Sequence, residues 1–318
     1  MDSFNGRRRV SWRVKSLLGR RLPVGYRWAL DGACAVRETC AMGKLTLTSS
    51  RWRELTALLK DQQTLRAKYP QVAEYLETAA GLAGTGDEEV DAQFDLRFVH
   101  YMTGGSAVSS NPYWDIVEPL VTEVGDRRIV NGGQAEGSVR LAFAQMLLQA
   151  AYAYAIPNPR TIEWVASFCA GLPIVELGAG RGYWAAQLAQ AGLTVDAYDS
   201  NPPGKADNPS FPGRAGQADV WHPVGDLPEF AARVQSADYA LMLCWPPGWG
   251  ETMSSEALTL YEDAGGERLV YIGEPRGGKT GNDAFFDALS DRWRLDSVDP
   301  HFVSWWTDGD MAQGWVRI

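Results

Sequence analysis

The run Val175-Glu176-Leu177-Gly178-Ala179-Gly180-Arg181-Gly182 limits what this chain can fold into more tightly than any other feature. An apolar stretch at 173–177 has the length of a buried strand, and a helix-compatible stretch comes after it at 184–191. Glycines packed between the two permit a tight turn and a close approach to the backbone. The start of the helix leaves free N–H groups at that turn, which suits a polar or anionic ligand. The spacing is G-x-G-x-G, and Tyr183 stands where the dinucleotide fingerprint asks for its last glycine.

A second strand fits 193–198 and ends at Asp199-Ser200. A carboxylate there, about twenty residues beyond the glycines, is placed to accept two ribose hydroxyls. Asp196 falls on the opposite face by strand alternation and reads as structural. A third strand is expected near 214–217, with Asp219 and Val220 just past it, where an adenine amino group would find an acceptor. Further strands fit 239–243 and 268–272, with helices at 227–234, 254–264 and 282–289. The chain ends as two strands, 302–306 and 312–318, turned at Asp308-Gly309-Asp310. Strands alternating with helices imply an α/β fold, a Rossmann-like seven-stranded sheet closed by an antiparallel terminal hairpin.

The first half reads differently. Helices fit 50–65, where Ser50 caps a face of Leu55, Leu58, Leu59 and Leu65, and then 71–80, 88–102, 113–124 and 137–155. Asn158-Pro159 signs the start of another helix at 160–170. The resulting division is an irregular basic leader over 1–45, a mainly α-helical cap over 46–156, and a sheet domain over 157–318.

With 318 residues, 45% of them hydrophobic and 22% charged, the chain has ample material for a core. Residues 1–60 carry a balance of +9, although the whole chain stands at −9. A basic arm on an acidic body can touch a phosphate-bearing partner, but a broad nucleic-acid groove would need a basic stripe on the body itself. Arg13, Lys15, Arg20, Arg21 and Arg27 interrupt the stretch after Arg7-Arg8-Arg9, so neither an export signal nor a membrane span is expected. Cys34, Cys40, Cys169 and Cys244 form no CxxC pair and have no histidine at zinc spacing, which predicts no metal site and fits a reducing cytoplasm.

Residues 157–318 resemble the class I SAM-dependent methyltransferases (SAM, S-adenosylmethionine). The likeness rests on Glu176 to Gly182, Asp199, the Cys244-Trp245-Pro246-Pro247 run after the fourth strand, and the reversed last strand. It implies that Gly178, Ala179 and Gly180 contact the amino-acid part of SAM and that Glu176 orients their loop. Asp199 would bind the ribose, and Asp219 with Val220 would frame the adenine. Ser200, Cys244 and Tyr154, the last just ahead of the domain, complete the expected cofactor contacts.

In amine-methylating relatives the loop after the fourth strand often reads Asn or Asp, then Pro-Pro-aromatic. Here Trp245 replaces the polar residue and Gly248 the aromatic one. The side-chain acceptor is lost, but the carbonyls of the stiff Trp245-Pro246 segment remain to hold an amine. Trp245 and Trp249 are assigned to the pocket, and Asn201-Pro202-Pro203-Gly204 to a rigid turn. His222 is the first candidate base, ahead of His301, His100 and the acid Glu274. Residues 276–281 read as a loop able to act as a lid.

The expected activity is methyl transfer to a small molecule, nitrogen favoured over oxygen or carbon. The alternatives are a peptide or RNA methyltransferase docked through the basic arm, a silent SAM-binding partner protein, and an NAD-dependent oxidoreductase.

Overall fold

The computed structural model describes residues 39–42, 45–234 and 238–318. The arginine-rich start of the chain, with the leader assigned to it, lies outside the described residues except at its end. There β1 (Thr39–Met42) pairs antiparallel with β2 (Leu45–Thr48), so the leader is not irregular up to residue 45. Alternation explains β2: Leu45 and Leu47 are buried, and Thr46 and Thr48 face out.

Helix α1 (Ser49–Lys60) is capped by Thr48, which accepts from the Arg51 N–H, and not by Ser50. The chain breaks at Asp61, whose carboxylate caps α2 (Gln62–Lys68), so Leu65 belongs to this second helix. Next come α3 (Pro70–Ala79), α4 (Glu88–Met102) and α5 (Pro112–Val117). The helix expected through 124 stops at Val117, because Pro119 interrupts it. The β-branched segment beyond forms β3 (Val121–Val124), which hairpins around Gly125 with β4 (Arg127–Val130). Helix α6 (Val139–Ala151) closes this half.

The second half runs α7 (Pro159–Cys169), β5 (Ile174–Leu177), α8 (Tyr183–Gln190), β6 (Val195–Tyr198), β7 (Val224–Gly225), α9 (Leu227–Arg233), β8 (Ala240–Cys244), α10 (Met253–Asp263), β9 (Arg268–Gly273), α11 (Asp283–Arg292), β10 (Trp293–Val298), β11 (Val303–Trp305) and β12 (Met311–Arg317). Seven of these strands make one sheet in the order β10-β12-β9-β8-β5-β6-β7. Strands β5 to β9 are parallel, and β12 runs against both β9 and β10. The Rossmann-like sheet with an antiparallel terminal hairpin is present.

Two of its strands are not where the sequence pattern points. Residues 214–217 form a turn, and the third parallel strand is the two-residue β7, paired with Ala197 and Tyr198. So short and half-buried an edge leaves no apolar run to read. The hairpin partner of β12 is β10, in which only Trp293 is buried. The apolar residues near 302–306 form β11, which leaves the main sheet and pairs parallel with β4.

Strand β11 therefore ties the two halves together. Trp305 donates its Nε1–H to the Tyr113 hydroxyl at 2.9 Å, and the Tyr113 N–H donates to the Tyr183 hydroxyl at 3.1 Å. One apolar cluster runs from Leu45 to Ala312 through this seam. No helix among the described residues is long and apolar enough to cross a membrane.

Replacing Tyr113 with Phe removes the acceptor for a buried indole N–H. Unfolding in urea should then show a stability loss of about 1–3 kcal/mol, the cost of leaving a buried donor unpaired. An unchanged midpoint would mean that the seam does not depend on this bond.

Candidate active site

The order of the strands reverses between β5 and β8, so their carboxyl ends flank a crevice of the kind in which open α/β sheets bind ligands. On the β5 side stands the glycine turn. Gly178 and Ala179 both donate their N–H to the Tyr198 carbonyl, at 2.8 and 3.0 Å, while Gly180 donates to Asp199 Oδ2 at 2.8 Å. The turn is thereby fastened to the end of β6. Gly180 has φ 56°, and a Cβ there would run into the ring of Phe211, so both the backbone angle and the close approach require glycine.

Beneath the turn Glu176 is 2% exposed, and its Oε2 has no hydrogen-bond partner among the described residues. Burial pushes its pKa up to about 8; the Ala185 N–H at the start of α8 eases the shift, and the Asp199 charge adds to it. Asp199 is itself buried. Besides Gly180, its carboxylate accepts from the Asn201 N–H at 2.8 Å and the Asn208 side chain at 3.2 Å.

On the β8 side the strand ends at Cys244, whose thiol is pushed well above its ordinary range by burial and then by Glu176 and Asp310. Trp245 comes next with φ 52°, a conformation that disfavours bulky L residues. Three contacts hold it. Its N–H donates to the Ile272 carbonyl at 2.7 Å, its Nε1–H donates to Asp310 Oδ2 at 2.9 Å, and its ring stacks on Tyr154 at 5.4 Å. Asp310 also accepts a short bond from the Ser304 hydroxyl, and burial raises its pKa to about 7 against the pull of these two donors.

Glu176, Gly178, Ala179, Gly180, Asp199, Cys244, Trp245 and Tyr154 thus gather at one edge, and Ser200 lies exposed beside them. Asp219 and Val220 are exposed and precede β7, between Ala218 and Trp221, which bond the side chain and the carbonyl of Arg181 in the glycine turn; the acid just past β7 is Asp226, which is spent on a capping box with Glu229 at the start of α9. His222 backs onto Gly182, and its Nε2 lies 3.2 Å from the Val195 carbonyl, at the end of β6 opposite Asp199. It is turned away from the crevice. Trp249 is 83% exposed and forms no pocket wall. Pro246 is buried, and its carbonyl already accepts from the Gly281 N–H at 3.0 Å.

The remaining candidates have structural duties. His100 packs against Arg51, and His301 faces Arg160. Glu274 accepts from the N–H groups of Lys279 and Gly309, and Lys279 bonds Asp308 in turn. Together with the Pro247–Thr280 bridge, these contacts fasten residues 276–281 to the Trp245 loop, so they are not a free lid.

Sequence reasoning missed Asp310, Asn208, Phe211 and Arg181. Asp310 lies inside a turn signal, and strand β12 beginning at Met311 is what carries it beside Glu274 at the crevice edge. The others lie in or touch the long β6–β7 connection, which has no periodicity to read.

The residues fit SAM chiefly as acceptors, with a carboxylate at the end of the second strand and a buried acid with an oxygen unpartnered, beside a glycine turn whose Gly178, Ala179 and Gly180 N–H groups are already engaged. The Gly180 surface, however, is covered by Phe211. Among the described residues no cluster of His, Cys, Asp and Glu has the make-up of a metal site.

No protein-family description matches the sequence, and no curated protein matches it. Solved structures do show similarity. The magnesium protoporphyrin IX methyltransferase of Synechocystis PCC 6803 with bound SAM is 14% identical, over 71% of this chain and 97% of that one, with a TM-score of 0.32. N,N-8-amino-8-demethyl-D-riboflavin dimethyltransferase of Streptomyces davawensis is 13% identical over 85% and 99%, with a TM-score of 0.32. An rRNA methylase of Streptococcus thermophilus is 14% identical over 51% and 98%, with a TM-score of 0.30. Superpositions this loose carry no chemistry over to this chain.

Burial holds the Glu176 carboxyl up to about 8, against about 4.5 for an exposed glutamate. Between those values the folded state holds a proton that the unfolded state has lost, so stability falls as pH rises across that window. Glu176→Gln should flatten the fall in urea midpoint over that range. A slope identical to that of the unmodified protein would show that Glu176 is not the group held protonated.

Proposed function

We propose that the chain is a SAM-dependent methyltransferase acting on a small-molecule acceptor. One observation carries the reading. At the switch point of a Rossmann-like sheet, the glycine turn and the Asp199 carboxylate meet within hydrogen-bond distance, above a buried acid with an unpartnered oxygen.

When bound, SAM supplies an electrophilic methyl group on a sulfonium. The protein's part is to position the acceptor in line and to exclude water. In this reading Gly178, Ala179 and Gly180 offer backbone to the cofactor, Asp199 and Ser200 its ribose contacts, and Cys244 and Tyr154 the opposite wall. Trp245 and Pro246 form the acceptor side. The Pro246 carbonyl gives one lone pair to Gly281 and retains a second for a substrate N–H.

Nitrogen is favoured as the acceptor atom because a neutral amine brings its own lone pair. Asp310 is spent on the Ser304 hydroxyl and the Trp245 indole, and His222 is engaged at the far end of β6, so an acceptor that must first lose a proton finds no free base in these two. The reading places the protein in the cytoplasm, which the free thiols of Cys169 and Cys244 support.

Calorimetry with SAM, S-adenosylhomocysteine and NAD tests the assignment. The first two should bind and NAD should not. Asp199→Ala should weaken binding by about 1.5–3 kcal/mol, the scale of a hydrogen bond to a charged group. Binding of NAD alone would replace methyl transfer with hydride chemistry.

A further inference from the structure

The β6–β7 connection does more than join two strands. Residues 204–213 fold back over the glycine turn, and they do so with side chains that take up the groups assigned to the cofactor. The ring of Phe211 lies on Gly180, where a Cβ would come within 2.5 Å of Cε2. Asn208 Nδ2 donates to Asp199 Oδ1 at 3.2 Å, on the carboxylate assigned to the ribose. The edge of Phe211 also meets Tyr154 at 5.7 Å, and Tyr154 in turn stacks on Trp245, so the aromatic cover reaches across to the β8 side.

Latches on both sides hold the segment in place. Arg181, the residue between Gly180 and Gly182, donates through Nε and Nη2 to the Phe211 carbonyl, both at 3.2 Å, and through Nη1 to the Ala218 carbonyl at 2.6 Å. Lys205 pairs with Asp226 at 2.9 Å, and Arg214 with Glu74 at 3.3 Å. These two pairs are largely solvent-exposed and so add little. The segment lies between Gly204, at φ 78°, and Gly213. Under it Glu176 leaves a buried oxygen unpaired, so the covered crevice is not fully satisfied by the chain's own groups.

Resting on the cofactor reading, we propose that residues 204–213 are an internal occupant of the cofactor crevice: Phe211 and Asn208 cover Gly180 and Asp199 and must be displaced before SAM binds. The apparent affinity for cofactor is then the intrinsic affinity reduced by the fraction of molecules in which the segment is open. This differs from a lid that folds down on bound ligand, because here the ligand drives the segment off.

The test uses the full chain, S-adenosylhomocysteine as probe, and two variants that release the segment by different means. Phe211→Ala removes the ring from Gly180, while Asn208→Asp sets a second carboxylate against Asp199. Both should bind the probe about tenfold more tightly than the unmodified protein. Trypsin should cut after Lys205 and Arg214 faster when the probe is present. If the unmodified protein binds the probe but both variants bind it equally or more weakly, or the probe slows cleavage, the internal-occupant proposal fails and the cofactor assignment stands. If none of the three proteins binds it, the cofactor assignment fails and takes the proposal with it.

Discussion

The site depends on one small set of bonds, those between the glycine turn and the end of β6. Two N–H groups of the turn converge on the Tyr198 carbonyl, and a third reaches the Asp199 carboxylate. Without them the turn would be a flexible run of glycines, and Asp199 would lose its tie to the turn and keep only Asn201 and Asn208. With them the end of the first parallel strand and the end of the second move as one body. The chain's own bonds therefore hold the ligand edge of the sheet, as the proposed methyl transfer would require, since in-line attack tolerates little misplacement.

The helical half is built into this edge and does not merely rest on it. Tyr113 and Tyr152 stack at 5.3 Å, Tyr152 meets both Tyr183 and Trp221, and Tyr183 sits in the first turn of α8, directly after the glycines. On the other side β11 leaves the terminal hairpin to pair with β4, carrying Ser304 to Asp310 and Trp305 to Tyr113. The Trp245 loop is thus braced through Asp310 and Ser304 by a strand that belongs to the sheet of the first half. The helical half and the ligand edge share one close-packed core.

Where the local pattern is strong, the sequence is enough to read the fold. Helix α4 is legible to its last residue, because Asp87 caps it and glycines stop it. Strands β5, β8 and β9 are mostly buried apolar runs between turn signals, and β6 alternates buried with half-buried residues; all four are legible to within a residue or two. The misreadings share a cause. Strands β7 and β10 lie at the two edges of the sheet, where half-buried or polar residues satisfy the ladder without leaving a hydrophobic signature. The apolar run near 303 is visible, but its partner β4 lies more than 170 residues earlier, and no local pattern encodes a pairing at that distance. At the site, the glycine turn, Glu176 and Asp199 are legible because strand–turn–helix chemistry is local. Asp310 and Phe211 are not, since each reaches the crevice only through tertiary packing.

The acids of the crevice show what such packing does to chemistry. Glu176 and Asp310 are both held toward their neutral forms by burial, and between them lies Cys244, whose thiol is pushed the same way. A crevice that suppresses negative charge when empty of cations is poised to accept one, because a nearby positive charge lowers the pKa of a desolvated carboxyl and forms an ion pair with little water to weaken it. SAM carries positive charge at its sulfonium and its amino group, whereas a dinucleotide brings a pyrophosphate. Under the proposed function, buried acids beneath the glycine turn would favour the cationic ligand of these two.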